Sequence, residues 1–316
     1  MTAPGRIKVA PRAQRGAALL TAMVIVTLVA TLASAMVWQQ WRAVQVEAAE
    51  RSRLQSAWIL GGALDWARLI LREDARSNRP TALTEPWAMP LAEVRLSAFL
   101  AADKDHTDDT PEAFLSGAIA DAQSRYNLRN LVVDGKVSEA DLAVFRRLCE
   151  LAGVAPGVAE AVAGRLRDAL ADPAQQPDGA PLVPQSAAQL GWLGLDAATL
   201  QRLAPLATVL PVPTPVNLNT APREVVAAVI TGLDLGGAER LLQARPLRDA
   251  AAVAPLLPAS AAIDGRQAGF RSDFFEIGGR LRLGDRVLEE RSLVQRRGLE
   301  VIPLRRERTS LSLAPG

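Results

Sequence analysis

Ala17-Ala-Leu-Leu-Thr21-Ala-Met-Val-Ile-Val-Thr27-Leu-Val-Ala-Thr31-Leu-Ala-Ser34-Ala-Met-Val37 is a run of 21 residues without a charge. At about 1.5 Å per helical residue it extends roughly 31 Å, enough to cross a bilayer core. Its polar residues are Thr21, Thr27, Thr31 and Ser34, whose hydroxyls can bond back to the helix. Arg6, Lys8, Arg12 and Arg15 precede the run, and no acid occurs before Glu47. The positive-inside rule then puts the N-terminus in the cytoplasm and the long remainder outside. The run exceeds the apolar region of an ordinary signal peptide. A conventional cut near Thr31–Ala35, where small residues cluster, stays open as the alternative.

The apolar pattern continues past the membrane. Trp38, Trp41, Val44, Ala48, Leu54, Trp58 and Leu64 recur near helical spacing, with Glu47, Glu50, Arg51, Arg53 and Arg68 between them. The spacing predicts one helix from Ala17 to about Leu71, transmembrane over 17–37. Trp38 and Trp41 read as anchors at the outer headgroup level. Trp58 and Trp66 are expected to pack under a globular domain.

The 316-residue chain has room for one large or two medium domains. One cysteine, Cys149, rules out an intrachain disulfide and reads as an inert or partly buried thiol, with an intermolecular bridge as the alternative. The single histidine, His106, rules out a multi-histidine metal site. A net charge of +2 gives little reason for nucleic-acid affinity. The sequence has no nucleophile elbow, phosphate loop or zinc spacing, so an enzyme is not expected. Asp121, Asp134, Asp141 and Asp168 read as charged surface residues.

Asn78 to Pro90 reads as a proline-punctuated loop, and Leu91 to Leu100 as a strand or short helix. Asp103-Lys-Asp-His-Thr-Asp-Asp109 is a charged exposed loop. As a calcium loop of the EF-hand kind it lacks the required Gly and Glu, having Asp108 and Phe114 instead. Ala118–Asp121 is a short strand candidate. From 130 to about 256 the pattern is helical, with starts at Ser138, Ser186 and Asp196. Thr220 is the expected N-cap of a helix over 222–230, with Pro222 in its first turn. Gly236 and Gly237 are expected to separate that helix from the next. After Gly269 the period changes to two. Phe275, Ile277, Gly279, Leu281 and Leu283 alternate with Glu276, Gly278, Arg280 and Arg282. Gly284-Asp285 reads as a turn, with less regular strands over 287–295 and 299–304. Strands late in the chain and their supporting helix at its start imply an α+β fold, with a helical domain inserted into the sheet domain.

Four signals carry a family resemblance. Gly16 lies between the basic residues and the apolar run and is followed by the small Ala17. This junction resembles the leader of type IV prepilins and secretion pseudopilins. The stretch Gly117-Ala-Ile-Ala-Asp121-Ala-Gln-Ser-Arg-Tyr-Asn127-Leu128 resembles a hallmark of the type II secretion K pseudopilins, the general secretion pathway protein K family. Arg129 here replaces the second Asn of that family's Asn-Leu-Asn turn. Val209-Leu-Pro-Val-Pro-Thr-Pro-Val-Asn217-Leu-Asn219-Thr220-Ala-Pro222 resembles the family's second turn, and Ser272-Asp-Phe-Phe-Glu-Ile its return to the pilin sheet.

The resemblance implies a leader over 1–16 and cleavage by prepilin peptidase between Gly16 and Ala17, with methylation of the new N-terminus. It implies a long helix over 17–75, the first part of a pilin-like domain over 76–129, an inserted helical domain over 130–268, and closing strands over 269–316. Most pilins and pseudopilins carry Glu at the fifth mature position, where Thr21 stands here; its absence resembles the tip subunit of the pseudopilus. The implied partners are the minor pseudopilins I and J, with secreted substrates and the outer-membrane secretin as further contacts. The implied location is the bacterial inner membrane, with the folded part periplasmic. No cofactor is required. Calcium in the helical domain is a further expectation, with ligands unknown. Asn127, Asn217, Asn219, Thr220 and Pro222 read as turn-holding residues rather than ligand contacts. Two alternatives stay open: a minor type IV pilin, and a membrane-anchored helix-hairpin-helix DNA-binding protein suggested by Asn-Leu-Asn-Thr-Ala.

Overall fold

A single helix, α1 (Arg15–Arg76), contains the whole apolar run and continues well past it. A computed structural model describes residues 15–77, 79–96, 113–174, 176–284 and 286–312. The charged loop 103–109 and Asp285 lie outside these. Among the described residues α1 is the one helix long and apolar enough to cross a membrane. The hydroxyls of Thr21, Thr27 and Thr31 donate to carbonyls three or four residues back, so the run carries these polar groups already satisfied.

The chain divides into two units, 1–59 and Leu60–Gly316. In the second unit, Leu60, Leu64, Ala67 and Leu71 form a buried stripe at helical spacing on the end of α1. Trp58 is 81% exposed and Trp66 46% exposed, contrary to the expectation that both pack under a domain. The reason is angular: at 100° per residue both fall well off the line through Leu60, Leu64, Ala67 and Leu71.

That stripe belongs to the core of a five-stranded antiparallel sheet. Its strands are β1 (Leu91–Arg95), β2 (Ala113–Asp121), β9 (Phe274–Leu283), β10 (Arg286–Arg297) and β11 (Glu300–Ser312), in the order β1-β2-β9-β10-β11. Phe275, Ile277, Val294 and Val301 meet Leu64, Ala67, Leu71 and Trp87. Trp87 stands edge-on to Phe275 at 5.3 Å. The late strands are longer than the sequence pattern indicated, because pairing to β9 and β10 carries polar residues that period-two hydrophobicity does not mark.

β2 and β9 are neighbours in the sheet, with Asp121 opposite Phe275, yet 152 residues, 122–273, lie between them in sequence. That interval is the helical part. It holds α2 (Glu139–Leu151), α3 (Val158–Ala169), α4 (Ala197–Leu203), α5 (Arg223–Val229), α6 (Leu235–Gln243) and α7 (Ala250–Val253). Two-residue strand pairs tie it together: β3 (Tyr126–Asn127) with β6 (Ala207–Thr208), β4 (Val132–Val133) with β5 (Lys136–Val137), and β7 (Val216–Asn217) with β8 (Ala268–Gly269). Its own core is built on Leu128, Phe145, Leu148, Val162, Leu166, Leu203, Val225 and Ile230. The α+β class read from the sequence holds.

Local differences have local causes. Ser138, Asp196 and Asp234 accept from backbone N–H groups and start α2, α4 and α6. The helix after Ser186 is a 3-10 helix over Ala187–Leu193. Gly236 and Gly237 lie inside α6 rather than before it. A Cβ on Gly237 would come within 2.5 Å of Leu233, so this glycine serves packing and not a break.

Candidate functional site

The residues singled out by the sequence fall at two places: the start of α1, and the junction where the helical part leaves and rejoins the sheet. At the first, Ala17 and Thr21 lie on an exposed helical stretch, and Thr21 Oγ1 donates to the Ala17 carbonyl at 2.8 Å. Gly16 lies within the same helix.

At the second, Asp121 ends β2 and is buried. Its Oδ1 accepts from the Gln123 N–H at 2.8 Å. Its Oδ2 accepts from Ser272 Oγ at 2.5 Å, Thr220 Oγ1 at 2.6 Å and Asn217 Nδ2 at 2.9 Å. One carboxylate thus joins the end of β2, the Asn217–Thr220 turn and the approach to β9. The assignment of Asp121 to the surface is overturned. None of its four donors is a cation, and burial raises its pKa from the ordinary 3.8 against the lowering effect of those bonds. Asp121, Asp134, Asp141 and Asp168 do not converge, since among the described residues no group of three or more His, Cys, Asp or Glu could hold a metal ion. The described residues therefore do not supply a calcium site built from three such ligands.

Asn217 also reaches the Thr81 carbonyl at 3.0 Å, and its Oδ1 accepts from the Asn219 N–H at 3.0 Å. Asn219 clasps Leu247, donating to its carbonyl at 2.9 Å and accepting its N–H at 2.7 Å. Asn127 works the same way. Its Oδ1 takes the N–H groups of Arg129 and Leu210, and its Nδ2 gives to the Val212 carbonyl and Thr214 Oγ1. These amides stand in for backbone partners where the chain has no regular ladder. Thr220 is not the N-cap of α5. That position is Pro222, because the Thr220 hydroxyl is committed to Asp121.

Sequence reasoning missed Arg296, Asp74 and Thr81. Arg296 binds Asp74 at 2.6 Å, Thr81 Oγ1 at 3.0 Å and the Ser272 carbonyl at 2.8 Å. Both side chains of the ion pair are about nine-tenths buried, and the pair links the end of α1 to β10. No local motif marks such partners, which come together only across 222 residues.

Comparison with known proteins gives the family. Two family models, both described as type II secretion system protein K, match residues 124–212 and 216–272, the stretches that hold Asn127 and Asn217. A type II secretion system protein K of Pseudomonas aeruginosa is 30% identical over 260 residues, 74% of this chain and 73% of that protein. One from Klebsiella pneumoniae is 30% identical over 319 residues, 90% of this chain and 93% of that protein. The chain belongs to the type II secretion system protein K family. A crystal structure titled as the GspK-GspI-GspJ complex of enterotoxigenic Escherichia coli shares the fold, with a TM-score of 0.63 at 20% identity. That match covers 83% of this chain and 98% of the other. Protein K membership makes this a minor pseudopilin of type II secretion, and the apolar α1 is consistent with membrane anchoring. The hairpin α5–α6 does not favour the DNA-binding alternative. Asp234 Oδ1 accepts from the Gly237 N–H at 2.7 Å, so a carboxylate already occupies the helix start that would receive a phosphate.

Proposed function

We propose that the chain caps the tip of a pseudopilus and helps to begin its assembly. Prepilin peptidase cuts between Gly16 and Ala17 and the new N-terminus is methylated. The helix stays in the inner membrane with its N-terminus cytoplasmic and the folded part periplasmic. There it packs with the minor pseudopilins I and J, using the small residues Ala18, Ala22, Ala30, Ala33 and Ala35 for close approach. The assembled filament works with the outer-membrane secretin to export folded proteins. The chain's part is assembly, not catalysis.

The observation that carries this reading is Thr21. Its hydroxyl is satisfied within its own helix at the Ala17 carbonyl, so it presents no carboxylate to the N-terminal amine of a subunit above. A subunit that lacks this pairing begins a filament rather than extending one. The helical part, inserted between adjacent strands, adds bulk that suits the end of a filament.

Mass spectrometry of the mature N-terminus tests the processing. Methylated Ala17 is expected; an intact Met1 or a new terminus near Ala35 would sink the reading. Co-purification of the membrane-extracted chain with pseudopilins I and J tests the assembly, and loss of secretion without loss of type IV pili separates this function from that of a minor pilin.

A further inference from the structure

β11 ends the sheet, and among the described residues no other strand pairs with its outer edge. It has 13 residues, whereas the opposite edge, β1, has five and a register shift between Leu91 and Val94. A free edge of the length of β11 is a template on which another chain can add a strand. One bond fixes which way its backbone groups point. The Arg296 N–H donates to the Asp273 carbonyl at 2.6 Å, on the β9 side of β10. Arg296 stands opposite Val301, so the N–H and carbonyl of Val301 point away from β10, to the outer edge. By alternation the backbone of Pro303 points outward as well.

These outward places are closed. The Val301 carbonyl accepts from Arg68 Nε at 2.7 Å, while Arg68 Nη1 pairs with Asp65 at 2.9 Å. Pro303 has no N–H to give. Leu304 is then an extra residue, since Val294 faces Pro303 and Leu293 faces Arg305. Such a bulge twists the strand and breaks the even spacing of its donors and acceptors. Beyond it, Arg306 and Arg308 are exposed. A second copy pairing antiparallel about Glu307, Arg308 or Thr309 would set arginines directly opposite or diagonal to one another, which is destabilising. Proline, a bulge and charge each blunt an edge strand, and all three fall within 303–308.

We propose that the outer edge of β11 is guarded against strand addition by a second copy of this chain, with Arg68, Pro303 and Leu304 as the guarding residues. The guard determines how the chain associates. It keeps the sheet from running on from one copy into the next and leaves contact to other surfaces. The assignment concerns this chain alone, so it does not depend on the tip role or on pseudopilins I and J.

The test uses the full chain in detergent micelles, followed by sedimentation velocity and by amide hydrogen exchange. One variant combines Arg68→Met with Pro303→Ala, which frees the Val301 carbonyl and restores an N–H at position 303. A second variant adds deletion of Leu304, which returns β10 and β11 to even register. The second variant is expected to dimerise with an association constant about tenfold or more above that of wild type, and the first to a smaller extent. Dimers and not longer chains should form, because each copy has one such edge and β1 is short and irregular. Exchange of the β11 amides should slow in the dimer, while in wild type it should not change with protein concentration. If deletion of Leu304 prevents folding, the first variant decides alone. Wild type dimerising through β11, variants that sediment as wild type does, or slowed exchange at β1 instead of β11 would each overturn the proposal.

Discussion

Asp121 is a carboxylate held by four neutral donors with no cation among them, and this makes its energetics unusual. Removing it by Asp121→Ala leaves the Ser272 hydroxyl and the Gln123 N–H without their acceptor, and the Thr220 hydroxyl with only the Asn217 carbonyl at 3.4 Å. A loss of about 3 kcal/mol or more is expected, measured by urea unfolding. Its titration has a definite sign. The folded chain holds the Asp121 proton at pH values where the unfolded chain has lost it, because burial raises the folded pKa above 3.8. The group's contribution to stability is therefore greatest at low pH. It falls as pH rises from about 3.8 and levels off above the folded value. Asp121→Asn lacks this decline, so the stability difference between wild type and variant must change as pH rises above about 3.8; a constant difference would contradict it. Cys149 gives a second prediction. Burial, reinforced by Glu160 and Glu150, pushes its thiol up to about 12. At pH 8 the folded chain should resist iodoacetamide and react only after unfolding, as mass spectrometry would show.

At the scale of elements, the β2–β9 pairing depends on small residues. Gly117 lies opposite Gly279, and a Cβ on Gly117 would sit 2.8 Å from the Gly278 carbonyl oxygen. That oxygen belongs to the sheet backbone and cannot swing aside. Gly117→Ala should cost about 1–3 kcal/mol. Gly278→Ala meets nothing closer than 3.9 Å and should be neutral or slightly stabilising, through the entropy of the unfolded chain. Thermal melts of the two variants should therefore move apart, and a common shift would remove the steric argument. The same comparison says what was legible in sequence. The helix 15–76 was readable because its apolar run is continuous, and β9 because Phe275, Ile277 and Leu281 alternate with polar residues. The roles of Trp58 and Trp66 were not, since apolar character does not say which face of a helix is covered. The Asn217 turn was readable as a turn because an Asn amide acts locally. Its bond to Asp121 was not, because it joins residues 96 apart and no spacing rule reaches that far.

Within the unit Leu60–Gly316, the sheet and the helical part meet at a polar junction, beside a small apolar cluster of Ala122, Leu210, Phe274 and Leu293. Asp121 and Asn217 close one side of it, and Arg296 with Asp74 and Thr81 closes the other. Ser272 belongs to both sides, giving its hydroxyl to Asp121 and its carbonyl to Arg296. Separating the helical part from the sheet would expose the Arg296–Asp74 pair and strip Asp121 of most of its donors together. Neither loss can be taken in small steps, so the two regions should unfold as one. Trp87 lies in the sheet core and Trp192 in the helical part, so single-tryptophan variants report on each region. Their fluorescence midpoints in urea should coincide. Asp121→Ala should lower both by the same amount, about 1 M for a loss near 3 kcal/mol. If the Trp192 midpoint stayed in place while that of Trp87 fell, the helical part would be stable on its own. The junction would then be a hinge between two domains rather than the point that makes them one.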